Sequence, residues 1–328
     1  MTDIHLQQPA QVRRFRIRHT TSYHYNQPIE RSVHRLHLRP FHDWKQQVVD
    51  YQLRLTPDTV IIEYEDALGN WTTHYESDYP YTDMTITAET IVELLDSDPF
   101  AFTHLSARPK FPLSWMPWDY TILSPYLTPI ELPETQLTEI YDYAMSFVDR
   151  NHGDLVETLF DINLTLFREF KYVTGSTNID TTPYDILINR RGVCQDFANL
   201  FICMARLLGL PSRYVCGYVY TKDHYQNRVG NLAGATHAWV QLYIPRVGWK
   251  GFDPTNGILP ATEHVRLSVG RHYRDTAPVT GTLYTMAQET MITSVEMFDI
   301  SPESPNSNQD APKIEQPPAK PLQENKTT

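Results

Sequence analysis

The chain is 328 residues long, and its 41% hydrophobic and 12% aromatic content can fill packed cores, which excludes a wholly disordered protein. At roughly 150 residues per domain, that length predicts two domains with room for a tail. With 28 basic and 39 acidic residues the net charge is −11, which argues against a generic nucleic-acid-binding surface.

Met1 to Thr20 is polar and Arg-rich and lacks the apolar stretch of a secretory leader. No segment reaches the ~20 apolar residues needed to span a bilayer, so no membrane partner is expected. From residue 13 to about 95 the chain reads as strands. Arg13-Phe15-Ile17-His19 and Ser32 to Arg39 alternate apolar and polar side chains. Val48 to Leu55, Val60 to Tyr64, Trp71 to Tyr75 and Met84 to Val92 continue the pattern, with a hairpin turn at Asp66 to Asn70. Strands without intervening helices predict a small antiparallel sandwich or barrel over 1–98. A Pro-rich connector follows over 99–133. Its Phe100, Phe102, Phe111, Trp115, Trp118, Tyr120 and Tyr126 predict that it wraps one domain against the other.

Apolar residues at helical spacing predict helices from Glu134 to about Asn151, from Leu155 to Phe170, and around Phe197 to Leu208, the last closed by Gly209-Leu210-Pro211. Strands are predicted at Ser212 to Tyr220, His237 to Ile244 and Trp249 to Asp253. Helices followed by an antiparallel sheet make 134–300 an α+β core. Ser301 to Thr328 holds 6 prolines and no aromatic residue, so a disordered tail is expected over 301–328.

Cys194 follows Gly192-Val193 at the start of the third helix, where the helix dipole stabilises a thiolate and Arg190 and Arg191 add positive charge. Gly192 is expected to leave room for a substrate backbone. Cys203 and Cys216 sit in apolar surroundings and read as small buried hydrophobes. Taken alone, Cys194 reads as a buried thiol too. His237 changes that weighting. A turn centred near Pro245 places Asp253 opposite His237, and a centre one residue later leaves them diagonal neighbours. That is the base-plus-orienter half of a triad. The cysteines and histidines lack zinc spacing and no P-loop, dinucleotide or EF-hand motif occurs, so neither metal nor cofactor is expected. Three cysteines make no disulfide framework, and the expected setting is the reducing cytoplasm.

Arg191-Gly192-Val193-Cys194-Gln195-Asp196-Phe197-Ala198-Asn199-Leu200, continuing through Ala205 to Tyr218, resembles the nucleophile segment of the transglutaminase-like superfamily. Thr236-His237-Ala238-Trp239-Val240 resembles its His segment, and Gly248 to Asn256 its Asp segment. The N-terminal strands resemble the β domain that precedes this core in bacterial members, and Gly270 to Pro278 resembles the end of that subgroup's core. The resemblance implies a papain-like site with Cys194 as nucleophile, His237 as general base and then acid, and Asp253 as orienter. It also implies the Cys194 backbone N–H as one oxyanion donor, with Tyr172 or an indole as candidates for the second. Asp196 recurs in the family pattern, and a first-turn acid stabilising the helix N-terminus accounts for it. The implied activity is a cysteine peptidase or amidase acting on peptide amides of a peptide or protein substrate through a thioester. The alternatives are a protein-glutamine acyltransferase and a non-catalytic peptide-binding scaffold.

Overall fold

The computed structural model describes residues 12–95, 98–104, 108–178, 180–221 and 236–302. All but the first two residues of the expected tail lie outside this set. The N-terminal half supplies β1 (Val12–Ile29), β2 (Ser32–Leu36), β3 (Gln46–Thr56), β4 (Ile61–Glu65), β5 (Trp71–Ser77) and β6 (Tyr81–Leu95). Strand alternation turns Tyr23 and Tyr25 of β1, Leu36 of β2, Tyr75 of β5 and Ile86 of β6 into one buried core shared by two antiparallel sheets.

The connector carries α1 (Pro117–Leu123); its Phe102, Phe111 and Trp115 pack on the core, whereas Trp118 and Tyr120 are exposed. Phe102 packs edge-on against Phe252, and the Trp115 indole donates to the Gly209 carbonyl at 2.9 Å. There follow α2 (Glu134–Arg150), α3 (Leu155–Glu169), β7 (Lys171–Tyr172), α4 (Pro183–Asn189), β8 (Arg191–Gly192) and α5 (Cys194–Leu207). Then come β9 (Ser212–Val219), β10 (His237–Ile244), β11 (Gly248–Phe252), β12 (His264–Gly270) and α6 (Tyr273–Thr276). β9 to β12 form an antiparallel sheet in the order β11-β10-β9-β12. α5 is the central helix. Its Phe197, Leu200, Phe201 and Met204 are fully buried among residues of α2, α3 and the inner side of β10, each contributing about 1.5–3 kcal/mol of burial. The fold is thus α+β, with N-terminal antiparallel sheets ahead of a helix-and-sheet core.

One difference from the sequence expectation concerns the segment 279–299, which the sequence reads as part of the core. Its strands β13 (Val279–Leu283) and β14 (Glu289–Asp299) instead pair antiparallel with β2 and β1. The N-terminal sheets therefore run β14-β1-β6-β3 and β13-β2-β5-β4. The two halves are also joined by side chains. The Asn70 amide exchanges two hydrogen bonds with the Val269 backbone at 2.9 and 2.8 Å, and Gln46 does the same with Arg266 at 2.9 and 2.8 Å. Among the described residues no helix is long and apolar enough to cross a membrane.

Candidate active site

Cys194 is the first residue of α5, and Val193, in extended conformation, is its N-cap. Valine has no side-chain acceptor, so capping comes from Asp196, whose carboxylate accepts from the Val193 N–H at 2.8 Å and from the Thr177 hydroxyl at 2.7 Å. Asp196 therefore serves the helix start, as its first-turn position predicts. The amides of Cys194 and Gln195 precede the first intrahelical bonds and keep the positive end of the helix at the thiol. The space over Gly192 is closed, contrary to expectation. A Cβ there would stand 2.8 Å from an Asp196 carboxylate oxygen and 2.9 Å from the Asp196 Cβ. Gly192 is needed to let the capping acid approach. Arg190 is also directed elsewhere: it donates to the Tyr143 hydroxyl at 2.7 Å and stacks on the Tyr143 and Phe170 rings. Arg191 is exposed. Positive charge near Cys194 comes from the helix and from His237.

His237 opens β10 and is 2% exposed. The β10–β11 register pairs Val240 with Phe252, which puts the turn one residue later than Pro245 and makes Asp253 the diagonal neighbour of His237. The His237 Nε2–H donates to Asp253 Oδ2 at 2.9 Å. Its Nδ1 makes no hydrogen bond among the described residues, and the Cys194 thiol is among the groups that act on the imidazole. Burial pushes the imidazole down, but the Asp253 carboxylate, with Cys194 adding to it, outweighs that and raises it from 6.5 to about 10. Asp253 is fully buried. Burial pushes its carboxyl up, yet the charge and hydrogen bonds of His237 and His264 hold it well below the usual carboxylate range. Its Oδ1 accepts from the Thr255 and Asn256 amides at 3.0 and 3.3 Å, an Asx-type turn that Asp253-Pro254-Thr255-Asn256 builds locally.

Two neighbours complete the cluster. His264, at the start of β12, donates through Nε2 to the same Asp253 Oδ2 at 3.1 Å. Sequence reasoning missed it, because β12 reaches the site only through the sheet order. Three ligand-type atoms of His237, Asp253 and His264 lie within 4.8 Å of one another, and the hydrogen bonds to Oδ2 engage both histidines. Spacing rules for zinc do not see such a set, since its members come from three segments. Tyr172 stands beside Cys194 because β7 pairs in parallel with β8, which sets Tyr172 against Gly192. Its buried hydroxyl lacks a partner of ordinary geometry and interacts with both the thiol and the backbone of Cys194. Burial, followed by Cys194, pushes that hydroxyl's pKa up. Cys203 and Cys216 are buried, and desolvation pushes both thiols up to about 12. The structure thus brings Cys194, His237 and Asp253 together and keeps the other two cysteines in apolar packing.

The sequence profile of the transglutaminase-like superfamily matches residues 141–254, and that of the bacterial transglutaminase-like N-terminal region matches residues 15–93. An uncharacterized protein of Mycobacterium tuberculosis is 31% identical over 293 residues, covering 85% of this chain and 90% of that protein. A stretch of 91 residues, 26% of this chain, is 32% identical to 13% of a protein-glutamine gamma-glutamyltransferase of Pseudomonas aeruginosa. The crystal structure of a candidate cysteine protease from Cytophaga hutchinsonii has the same fold, with a TM-score of 0.70 at 22% identity, covering 90% of this chain and 93% of that one. With the superfamily core over 141–254, the bacterial N-terminal region ahead of it and a relative alike along most of its length, this chain belongs to the transglutaminase-like superfamily, in the bacterial form that carries an N-terminal β region.

Proposed function

We propose that this protein is a cysteine-dependent acyl hydrolase that cleaves peptide amides through a thioester on Cys194. The observation that carries the reading is the buried His237 Nε2–Asp253 Oδ2 bond at 2.9 Å, on an imidazole that the Cys194 thiol at the N-terminus of α5 also acts on. His237 takes the thiol proton as the sulfur attacks. In the proposed reaction the Cys194 sulfur attacks the amide carbonyl carbon and His237 delivers its proton to the departing amine. Water then attacks the thioester and gives its proton to His237, releasing the acid and restoring the thiol–imidazole pair. Asp253 keeps the imidazole oriented in both steps. The tetrahedral oxyanion would take hydrogen bonds from the Cys194 N–H and from the Tyr172 hydroxyl, which lies buried beside Cys194.

A second reading, transfer of the acyl group to an amine, is supported by two observations. Cys194 is only 8% exposed, which limits water at the thioester, and the chain resembles a short part of a glutamyltransferase. One reactive acyl-peptide, offered with and without a lysine-like amine and in the presence of a chelator, separates the readings. Acid release abolished by Cys194→Ala is the expected result. Amine incorporation outpacing hydrolysis would replace the hydrolase by a transferase. The absence of any Cys194-dependent turnover across peptide libraries, with binding retained, would favour a scaffold. Limiting iodoacetamide near neutral pH should label Cys194 and spare Cys203 and Cys216, and equal labelling of Cys203 would remove the assignment.

A further inference from the structure

Between the outer side of the core sheet and the N-terminal sheets lies a cavity of about 550 Å³. Cys194, His237 and Asp253 do not line it. In a chain of net charge −11, its walls are basic: Lys45, Arg213, Lys250 and Arg266 converge there against one carboxylate, Asp43. That carboxylate is engaged by Arg266 at 2.7 Å. Arg213 stacks on the Trp249 ring at 4.4 Å and donates to Gln241 Oε1 at 2.8 Å. The two lysines are different. The Lys45 ammonium lies over the Trp44 ring, whereas Lys250, paired with Leu242, reaches the cavity from the β11 edge with its ammonium over the Phe102 ring, and neither makes an ion pair to a carboxylate among the described residues. Burial lowers the Lys45 ammonium, and repulsion from Lys250 and Arg266 lowers it further. Trp239, which shares this wall, is 1% exposed, and its indole N–H has no hydrogen-bond acceptor. Lysine, arginine and indole groups are donors only, so the group that would complete them is rich in acceptor oxygens.

We propose that this cavity is a binding site for a small organic polyanion, whose acidic groups are held between Lys45 and Lys250. Phosphate and carboxylate oxygens meet these donors alike. His264, which donates to Asp253, also lines this cavity, but Cys194, His237 and Asp253 stand outside it and the proposal does not rest on the cysteine chemistry. Wild-type protein is titrated calorimetrically with citrate and with pyrophosphate at constant ionic strength, and the fluorescence of the lining tryptophans is followed. Saturable binding is expected for at least one of them. Tighter citrate binding identifies a polycarboxylate, and tighter pyrophosphate binding a phosphorylated ligand. Lys45→Gln with Lys250→Gln should weaken binding by about tenfold or more, whereas Cys194→Ala and the surface control Lys171→Gln should leave it unchanged. If the double variant misfolds, the wild type decides: the bound anion should protect Lys45 and Lys250, and not Lys171, from acetylation read by mass spectrometry. Absence of saturable binding up to ~10 mM of either probe, or equal loss in the Lys171→Gln control, would overturn the proposal. Unprotected lysines in the presence of bound anion would overturn it equally.

Discussion

The two sides of the sheet formed by β9 to β12 are made by the same strands and hide opposite kinds of chemistry. Toward the helices β10 presents Ala238, Val240 and Leu242, packed against α5 in a continuous apolar cluster. Toward the N-terminal sheets it presents Trp239 and Gln241, beside Arg213, Arg266 and His264. Helix-side residues gain stability from apolar area. The opposite side is held by directed bonds such as those of Asn70 to Val269 and Gln46 to Arg266. Strand alternation lets one element serve both, so stability and polar chemistry can be changed separately. Cys194 and His237 are the first residues of α5 and β10, where helix and sheet begin together.

Substitutions on each side should separate these roles. The largest effect is expected for Asp253→Asn, which removes the charge that orients and holds the His237 proton. Acyl turnover should fall on the order of 10³- to 10⁴-fold in steady-state kinetics, and a loss of only a few-fold would break the division. Leu242→Ala on the helix side should cost about 2–5 kcal/mol of unfolding free energy in urea, while turnover of the folded fraction stays within a few-fold of wild type. His264→Gln removes one of the donors to Asp253 Oδ2. Roughly a tenfold fall in kcat with little change in KM is expected, together with a displaced pH profile that a purely structural residue would not produce.

The smallest effect is on the pH dependence of stability. The depressed Asp253 contributes stability above the ordinary carboxylate range near pH 4, and that contribution is lost as pH falls. The raised His237 contributes below 6.5 and loses its contribution as pH rises through about 10. The stability difference between wild type and Asp253→Asn should therefore be greatest between about pH 4 and 6.5 and shrink toward pH 10 in thermal or denaturant melts. A difference that grows with alkalinity would contradict the charged pair.

The parts of the site legible in the sequence are those fixed by short-range periodicity. Phe197, Leu200, Phe201 and Met204 at helical spacing behind Gly192-Val193 place Cys194 at the first helical position. A hairpin around Pro245 to Val247 limits where Asp253 can fall relative to His237, and the register selects the diagonal of the two arrangements. Tyr172 was reachable only as one candidate among several, since its position depends on a two-residue parallel pairing with β8. His264 was not reachable, because β12 joins through β9. The same non-local pairing hid β13 and β14, and no periodicity in 279–299 says which sheet those strands enter. The reading of Gly192 failed for a different reason: the atoms that fill its missing side chain's space belong to Asp196, one helical turn onward.

Strand β1 has a partner on each edge, β6 and β14, and its register with β14 runs without a break from Phe15↔Asp299 to Tyr25↔Glu289. On the ribosome these partners are born far apart in time. At ~5–20 residues per second, Tyr25 emerges on the order of 10 to 50 s before Glu289. Throughout that interval one edge of β1 presents unpaired N–H and C=O groups, a template for neighbouring chains on a polysome. The N-terminal β region is thus synthesised first and closed last, after the helices and sheet of the core have been made. Translation that stops before Glu289 leaves that edge open permanently, which makes such a truncated product a source of strand-mediated aggregation rather than a shorter working protein.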